Sequence, residues 1–186
     1  MSGRYKNCVC RIPGHGGTDP GAVNTALGLR EADINLDTAL RLERILKNRG
    51  YETKMSRTTN KFVSLTDRAN MANEWGADYF ISVHSNANEN PEVSGTETLY
   101  YPGSRRGEAL AKEVQNQMVL QLHRGNRGII PRPNLAVLRL TKMPAILAEL
   151  AFVSNLEEAE LLSTPEFRQA AAQGIADGLT QFLKEQ

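Results

Sequence analysis

Ala77-Asp78-Tyr79-Phe80-Ile81-Ser82-Val83-His84-Ser85-Asn86-Ala87 is the stretch from which the rest of the chain can be ordered. Residues 79–83 are mostly apolar and rich in aromatic and β-branched side chains. A short run of this kind reads as a strand buried on both faces, inside a sheet covered by helices. The strand is expected to end at Val83, leaving His84, Ser85 and Asn86 just beyond it. Ligands of open α/β sheets bind at that place, outside the carboxyl ends of the strands. His84 is therefore a candidate for chemistry, and its partners must come from elsewhere in the chain.

Upstream, residues 65–75 read as a helix stopped by Gly76, with Ser64 and Asp67 at capping-box spacing and Asp in place of Glu. Residues 51–56 read as a strand. Residues 30–49 read as a long helix, with Ile34, Leu36, Leu40, Leu42, Ile45 and Leu46 forming a broad apolar face and Gly50 following as the stop. Glu31 stands in its first turn, where a carboxylate suits the helix dipole. Residues 18–29, containing Asp19-Pro20-Gly21, read as a loop. Residues 7–12 read as a first strand running into Pro13-Gly14-His15-Gly16-Gly17, a tight turn whose glycines permit unusual torsions. His15, like His84, follows a strand end.

Downstream, residues 96–101 alternate as a strand, and Ser104 can cap a helix to about residue 123 with Leu110, Val114, Met118 and Leu122 as its stripe. A loop over 125–133 holds a short strand at 128–130, and 135–140 reads as another strand. Residues 144–150 are a buried run interrupted by one carboxylate, Glu149. A short helix over 155–162 precedes a last helix, opened by Thr164 as N-cap and Pro165 and running to about residue 184. Strands alternating with helices predict an α/β fold: one domain over residues 1–186, with a twisted, mostly parallel sheet flanked by helices on both faces. Antiparallel edges are expected near Tyr101 and Leu135.

Composition sets limits. A chain of 186 residues, 40% hydrophobic and 23% charged, is globular and can bury its own core. A net charge of +1 gives no case for nucleic acid. No apolar run approaches the ~20 residues of a membrane helix. The segment 1–6 is short and polar with no signal peptide after it, which suggests another export route or a chain cut from a longer protein. Cys8 and Cys10, two apart on one strand, point to one face, are poorly placed to bridge each other and read as buried thiols.

His15, Glu31 and His84 form a candidate ligand set. Two imidazoles and a carboxylate, with a fourth position left to water, are the donors of a catalytic zinc site. Such a site needs a general base, and Glu149 qualifies, because a carboxylate inside an apolar strand is costly unless it is used or paired. Each residue alone also has a plainer reading. His15 can be a turn residue, His84 a hydrogen-bonded residue near the core, Glu31 a dipole partner, and Glu149 the mate of Arg139, Arg57 or Arg68. The third histidine, His123, reads as a surface residue at a helix end.

Further pieces stand in order along the chain: Asp19-Pro20-Gly21-Ala22, Ser56-Arg57, Ala72-Asn73, Ala77-Asp78, Ile81-Ser82-Val83-His84-Ser85-Asn86-Ala87, Gly95-Thr96-Glu97, Arg127-Gly128, Val137-Leu138-Arg139, Pro144-Ala145 and Glu149-Leu150-Ala151-Phe152-Val153-Ser154-Asn155. With these pieces the chain resembles the zinc-dependent N-acetylmuramoyl-L-alanine amidases, the peptidoglycan amidase family of bacterial autolysins and phage endolysins, over about residues 9–183. The resemblance implies one Zn2+ held by His15, Glu31 and His84, with Glu149 as the catalytic glutamate. It also implies hydrolysis of the amide between N-acetylmuramic acid and L-alanine in the cell wall. The expected partner is peptidoglycan, with no nucleic acid and no membrane anchor, and the expected unit is a monomer. Asn86 would hold substrate or orient a ligand. Arg139 would pair with Glu149 or with the stem peptide. Two positions depart from the family pattern: Ile12 stands where Asp is usual before the Pro-Gly-His turn, and Ala151 where Gly is common. The alternatives are a non-catalytic wall-binding module of the same fold and a zinc peptidase cutting within the stem peptide. The setting is open between a phage endolysin, a mother-cell lysis enzyme and the catalytic part of an autolysin.

Overall fold

The computed structural model describes residues 8–185. Asn7, at the head of the first predicted strand, and the polar segment 1–6 lie outside the described residues.

With elements numbered in chain order, one six-stranded sheet organises the molecule. It is built from β1 (Cys8–Pro13), β4 (Glu52–Met55), β5 (Tyr79–Asn86), β6 (Thr96–Tyr100), β7 (Asn126–Pro131) and β8 (Ala145–Phe152), in the spatial order β4-β1-β5-β8-β6-β7. β4, β1, β5 and β8 run parallel, β6 is antiparallel to β8, and β7 follows β6 in parallel. Alternation along the strands feeds two cores. Val9, Ile81, Val83, Ile146, Ala148 and Leu150 face one side. There they pack against α1 (Glu31–Asn48), α3 (Arg105–Leu122) and α6 (Pro165–Lys184). Cys10, Ile12, Phe80, Leu99, Ala145 and Leu147 face the other, under α2 (Leu65–Trp75) and the short α4 (Ala136–Arg139). α5 (Leu156–Ser163) closes the end after β8. The predicted caps are present: the hydroxyls of Ser64, Ser104 and Thr164 accept from the N–H groups of Asp67, Gly107 and Phe167. No helix among the described residues is long and apolar enough to cross a membrane.

α3 and α6 touch backbone to backbone. A Cβ added at Gly178 would lie 2.4 Å from Val114 Cα and 2.7 Å from its nitrogen. Neither helix can yield without moving off the sheet. Gly178→Val should therefore cost about 3 kcal/mol or more, lowering Tm by roughly 6–12 °C in a chain of this size. Thermal unfolding followed by circular dichroism measures it, and an unchanged Tm would contradict the close crossing.

Four expectations are corrected. Residues 135–140 are not a strand: Ala136–Arg139 is one turn of helix. Val137 and Leu138, adjacent in sequence, are both buried in the second core, which a strand's alternation forbids and a helical turn allows. The supposed loop 18–29 contains part of a small antiparallel ladder, β2 (Val23–Asn24) with β3 (Leu29–Arg30), too short to leave a pattern. The central strand does not stop at Val83 but continues through His84, Ser85 and Asn86. Polar residues are tolerated there because each is partnered: His84 by Glu31, Ser85 by Asn35 of α1 and Asn86 by Glu97. The antiparallel strand expected near Tyr101 is β6, but it lies inside the sheet between β8 and β7, and Leu135 is no edge strand but only caps α4.

Candidate metal centre

The turn after β1 carries the first histidine. His15 has φ +57, with Gly16 and Gly17 also at positive φ, so the chain folds sharply back and pairs Gly16 with Asp19. Two arginines hold this turn from behind. The Arg57 guanidinium donates to the carbonyls of Gly14 and Ala32, both at 2.8 Å. Arg68 donates to the carbonyls of Pro13, His15 (2.8 Å) and Val63 (2.9 Å). Burial lowers the Arg57 guanidinium to about 10, so it stays charged at neutral pH. Gly14 must be glycine: a Cβ there would lie 2.3 Å from the His84 ring.

Glu31 opens α1 and is only 5% exposed. Its Oε2 lies 3.1 Å from His15 Nε2, and its Oε1 lies 3.0 Å from His84 Nδ1. The same carboxylate accepts from Ala22 N (3.0 Å), Ser85 N (3.2 Å) and Asn35 Nδ2 (3.0 Å). Burial alone would raise its pKa, but the hydrogen bonds and charge of the two histidines hold it far below the carboxylate range. His15 responds in kind: burial disfavours its charge, while Glu31 and Asp19 more than offset this and raise its pKa. The two rings meet edge to face, with centroids 5.0 Å apart.

Donor atoms of His15, Glu31 and His84 all lie within 4.8 Å of one another. Two imidazoles and a carboxylate at the end of a pocket fit one zinc ion with a coordination position left open. His15 is also oriented from behind, its Nδ1 lying 2.8 Å from Asp19 Oδ2. A carboxylate in that place fixes the ring and its tautomer. Asp19 thus supplies the carboxylate behind His15, while Ile12 is fully buried in the second core.

Glu149 arrives by register. β5 and β8 pair His84 with Glu149, and β8 and β6 pair Glu149 with Glu97, so the three side chains share one face in a row across the sheet. Glu149 Oε2 is buried and has no hydrogen-bond partner. Burial, then the charges of Glu31 and Glu97, push the Glu149 carboxyl well above its ordinary range. Glu97 is different, since both of its oxygens are used. Oε1 accepts from Asn86 Nδ2 (3.0 Å) and Oε2 from Arg127 Nε (2.7 Å). Beside the histidines lies a pocket of about 330 Å³ with apolar walls from Phe62, Val63, Leu65 and Val137.

The structure thus brings His15, Glu31, His84 and Glu149 together. Asn86 is on the same strand, tied to Glu97. Arg139 does not reach Glu149. Because its segment is helical, it sits exposed at the end of α4 and lines a separate groove with Arg105, Arg106 and Lys142. Arg57 and Arg68 are committed to backbone carbonyls and are not mates of Glu149 either. Asp19, Glu97 and Arg127 lacked an assigned role in the sequence reading. Glu97 carried a usable signal, since in the alternation of β6 it shares the inward face with Leu99, as Glu149 does with Leu147.

A sequence model described as N-acetylmuramoyl-L-alanine amidase matches residues 9–181. The chain is 41% identical over 175 residues to the N-acetylmuramoyl-L-alanine amidase CwlM of Bacillus licheniformis, covering 91% of this chain and 66% of that protein. It is 39% identical to the sporulation-specific N-acetylmuramoyl-L-alanine amidase of Bacillus subtilis, covering 91% of this chain and 65% of the relative. The chain therefore spans about two thirds of the length of these relatives. Among solved structures, the N-acetylmuramoyl-L-alanine amidase from Clostridium difficile 630 superposes with a TM-score of 0.92 at 34% identity, covering 96% of this chain and 97% of that one. On fold, candidate ligand set and sequence together, the chain belongs to the N-acetylmuramoyl-L-alanine amidase family.

Proposed function

We propose that the chain hydrolyses the amide between the lactyl group of N-acetylmuramic acid and L-alanine in peptidoglycan, using one zinc ion held by His15, Glu31 and His84. The observation that carries this reading is the buried Glu149 Oε2, without a partner, in the row next to His84. A carboxylate so disfavoured is kept for use. When bound, zinc supplies an acidified water and an electrophile for the lactyl carbonyl.

Glu149 takes the proton of the attacking water and later passes it to the alanine nitrogen, which leaves as an amine rather than as an amide anion. A dication at the cluster would offset the charge of Glu31 and bring the raised Glu149 carboxyl down toward a base's working range. Phe62, Val63, Leu65 and Val137 give the cleft an apolar side. Asp19 holds the His15 ring, and Glu31 spans both histidines. All four site groups come from one chain, which supports a monomer as the active unit. Its place of action is the cell wall.

The test is a peptidoglycan digest with purified protein, with chelator and with zinc added back, the products read by mass spectrometry. Chelator-sensitive release of stem peptides beginning with L-alanine, beside intact glycan, is the expected result. Cuts between two amino acids would make the protein a peptidase. No products from a zinc-loaded sample would leave a binding module.

A further inference from the structure

The open end of the sheet is lined by carboxylates: Glu31, Glu149 and Glu97. Arg57 and Arg68, behind the cluster, are spent on carbonyls. Arg127, near the start of the edge strand β7, is a cation at this end. Arg127 is anchored by Nε to Glu97 Oε2 (2.7 Å) and by Nη1 to Ser94 O (3.3 Å), with its guanidinium 5.1 Å from the Phe152 ring centroid. Its other terminal nitrogen has no partner among the described residues, and the side chain is 39% exposed. Arg132 follows the far end of β7, where its N–H bonds Tyr100 O, and only its charge is felt at Glu149.

A guanidinium fixed along one edge presents its remaining donors in a geometry suited to a carboxylate. Glu97 is saturated by Asn86 and Arg127, so it holds the arginine in place without needing further donors. The spacing also fits. Glu97 is one strand from Glu149, and strands lie about 4.8 Å apart, which puts the Arg127 head roughly 5–10 Å from the base. Two extended residues span about 7 Å.

We infer that the β7 side of the cleft receives the stem peptide, and that Arg127 takes the free α-carboxylate of its second residue, an iso-linked glutamate, in preference to the corresponding carboxamide. The inference rests on the amidase reading and adds to it a specificity residue.

The experiment compares two soluble muramyl-pentapeptides that differ only in that carboxylate or carboxamide, using zinc-loaded wild type, Arg127→Gln and Arg127→Lys, with Tm as the folding control. Wild type should favour the carboxylate by about ten- to a hundred-fold in kcat/KM, mostly through KM. Arg127→Gln should bring the ratio to within about three-fold, and Arg127→Lys should keep part of it. A purely structural role for Arg127 would slow both substrates equally and leave the ratio alone. Equal rates on the two substrates with wild type overturn the inference whatever the variants do, as does a ratio that survives Arg127→Gln. Hydrolysis of neither substrate by wild type overturns the amidase reading and this inference with it.

Discussion

Glu149→Gln should fold, keep its metal and lose peptidoglycan hydrolysis by about 10³-fold or more, at the upper end of what a positioned acid–base group contributes. The substitution preserves shape and removes only the group that can accept and return a proton. Stability should move the other way. Glu149 Oε2 makes no hydrogen bond that would be lost, and burial together with the nearby charges of Glu31 and Glu97 disfavours its ionised form. Removing such a group relieves strain held for function, so Tm should rise by a few degrees. Three readings on one sample check this: kcat/KM, zinc per chain by elemental analysis, and Tm. Retained hydrolysis would put the base elsewhere, and lost zinc would mean that Glu149 belongs to the metal's own coordination.

Glu31→Gln should abolish activity by a different route, through loss of the metal itself. The carboxylate touches both histidines, on opposite oxygens, and also accepts from Ala22 N, Ser85 N and Asn35 Nδ2. A glutamine has one acceptor oxygen in place of two and carries no charge to offset a dication. After dialysis against a weak chelator, wild type should hold close to one zinc per chain and the variant almost none. The fold should survive with a loss of about 1–3 kcal/mol, because a buried N–H is left without its acceptor. Full zinc occupancy in Glu31→Gln would remove Glu31 from the ligand set.

Most of the architecture could be read from apolar periodicity, because the long elements that carry the two cores each repeat their pattern over several residues. The strand and helix leading to His84, and the buried run around Glu149, fall where expected. What failed was short or two-faced. Four residues of α4 offer a single helical turn, and an apolar run of that length reads equally well as strand. β5 ran past Val83 because polarity there reflects an open cleft rather than the end of the strand. Within the site, the residue types were evident, but their convergence was not. His15, Glu31, His84 and Glu149 come from four separate segments, and only the parallel register of β1, β5 and β8 makes them neighbours. Arg139 was misplaced with its helix, and Asp19, inside an apparent loop, gave no sign that it would orient His15.

The two arginines behind the first histidine have a thermodynamic meaning. Arg57 and Arg68 together fix the carbonyls of Pro13, Gly14 and His15 and anchor them to α1 and to the segment before α2. The torsional freedom of the glycine-rich turn is therefore given up when the chain folds, not when the metal arrives. In small metal-dependent domains, ordering the ligands consumes part of the binding energy and the apo chain is unfolded. Here that entropy is already spent, so affinity for the proposed metal would reflect the chemistry of the donors, and a chelated protein would keep a socket into which the ion could return.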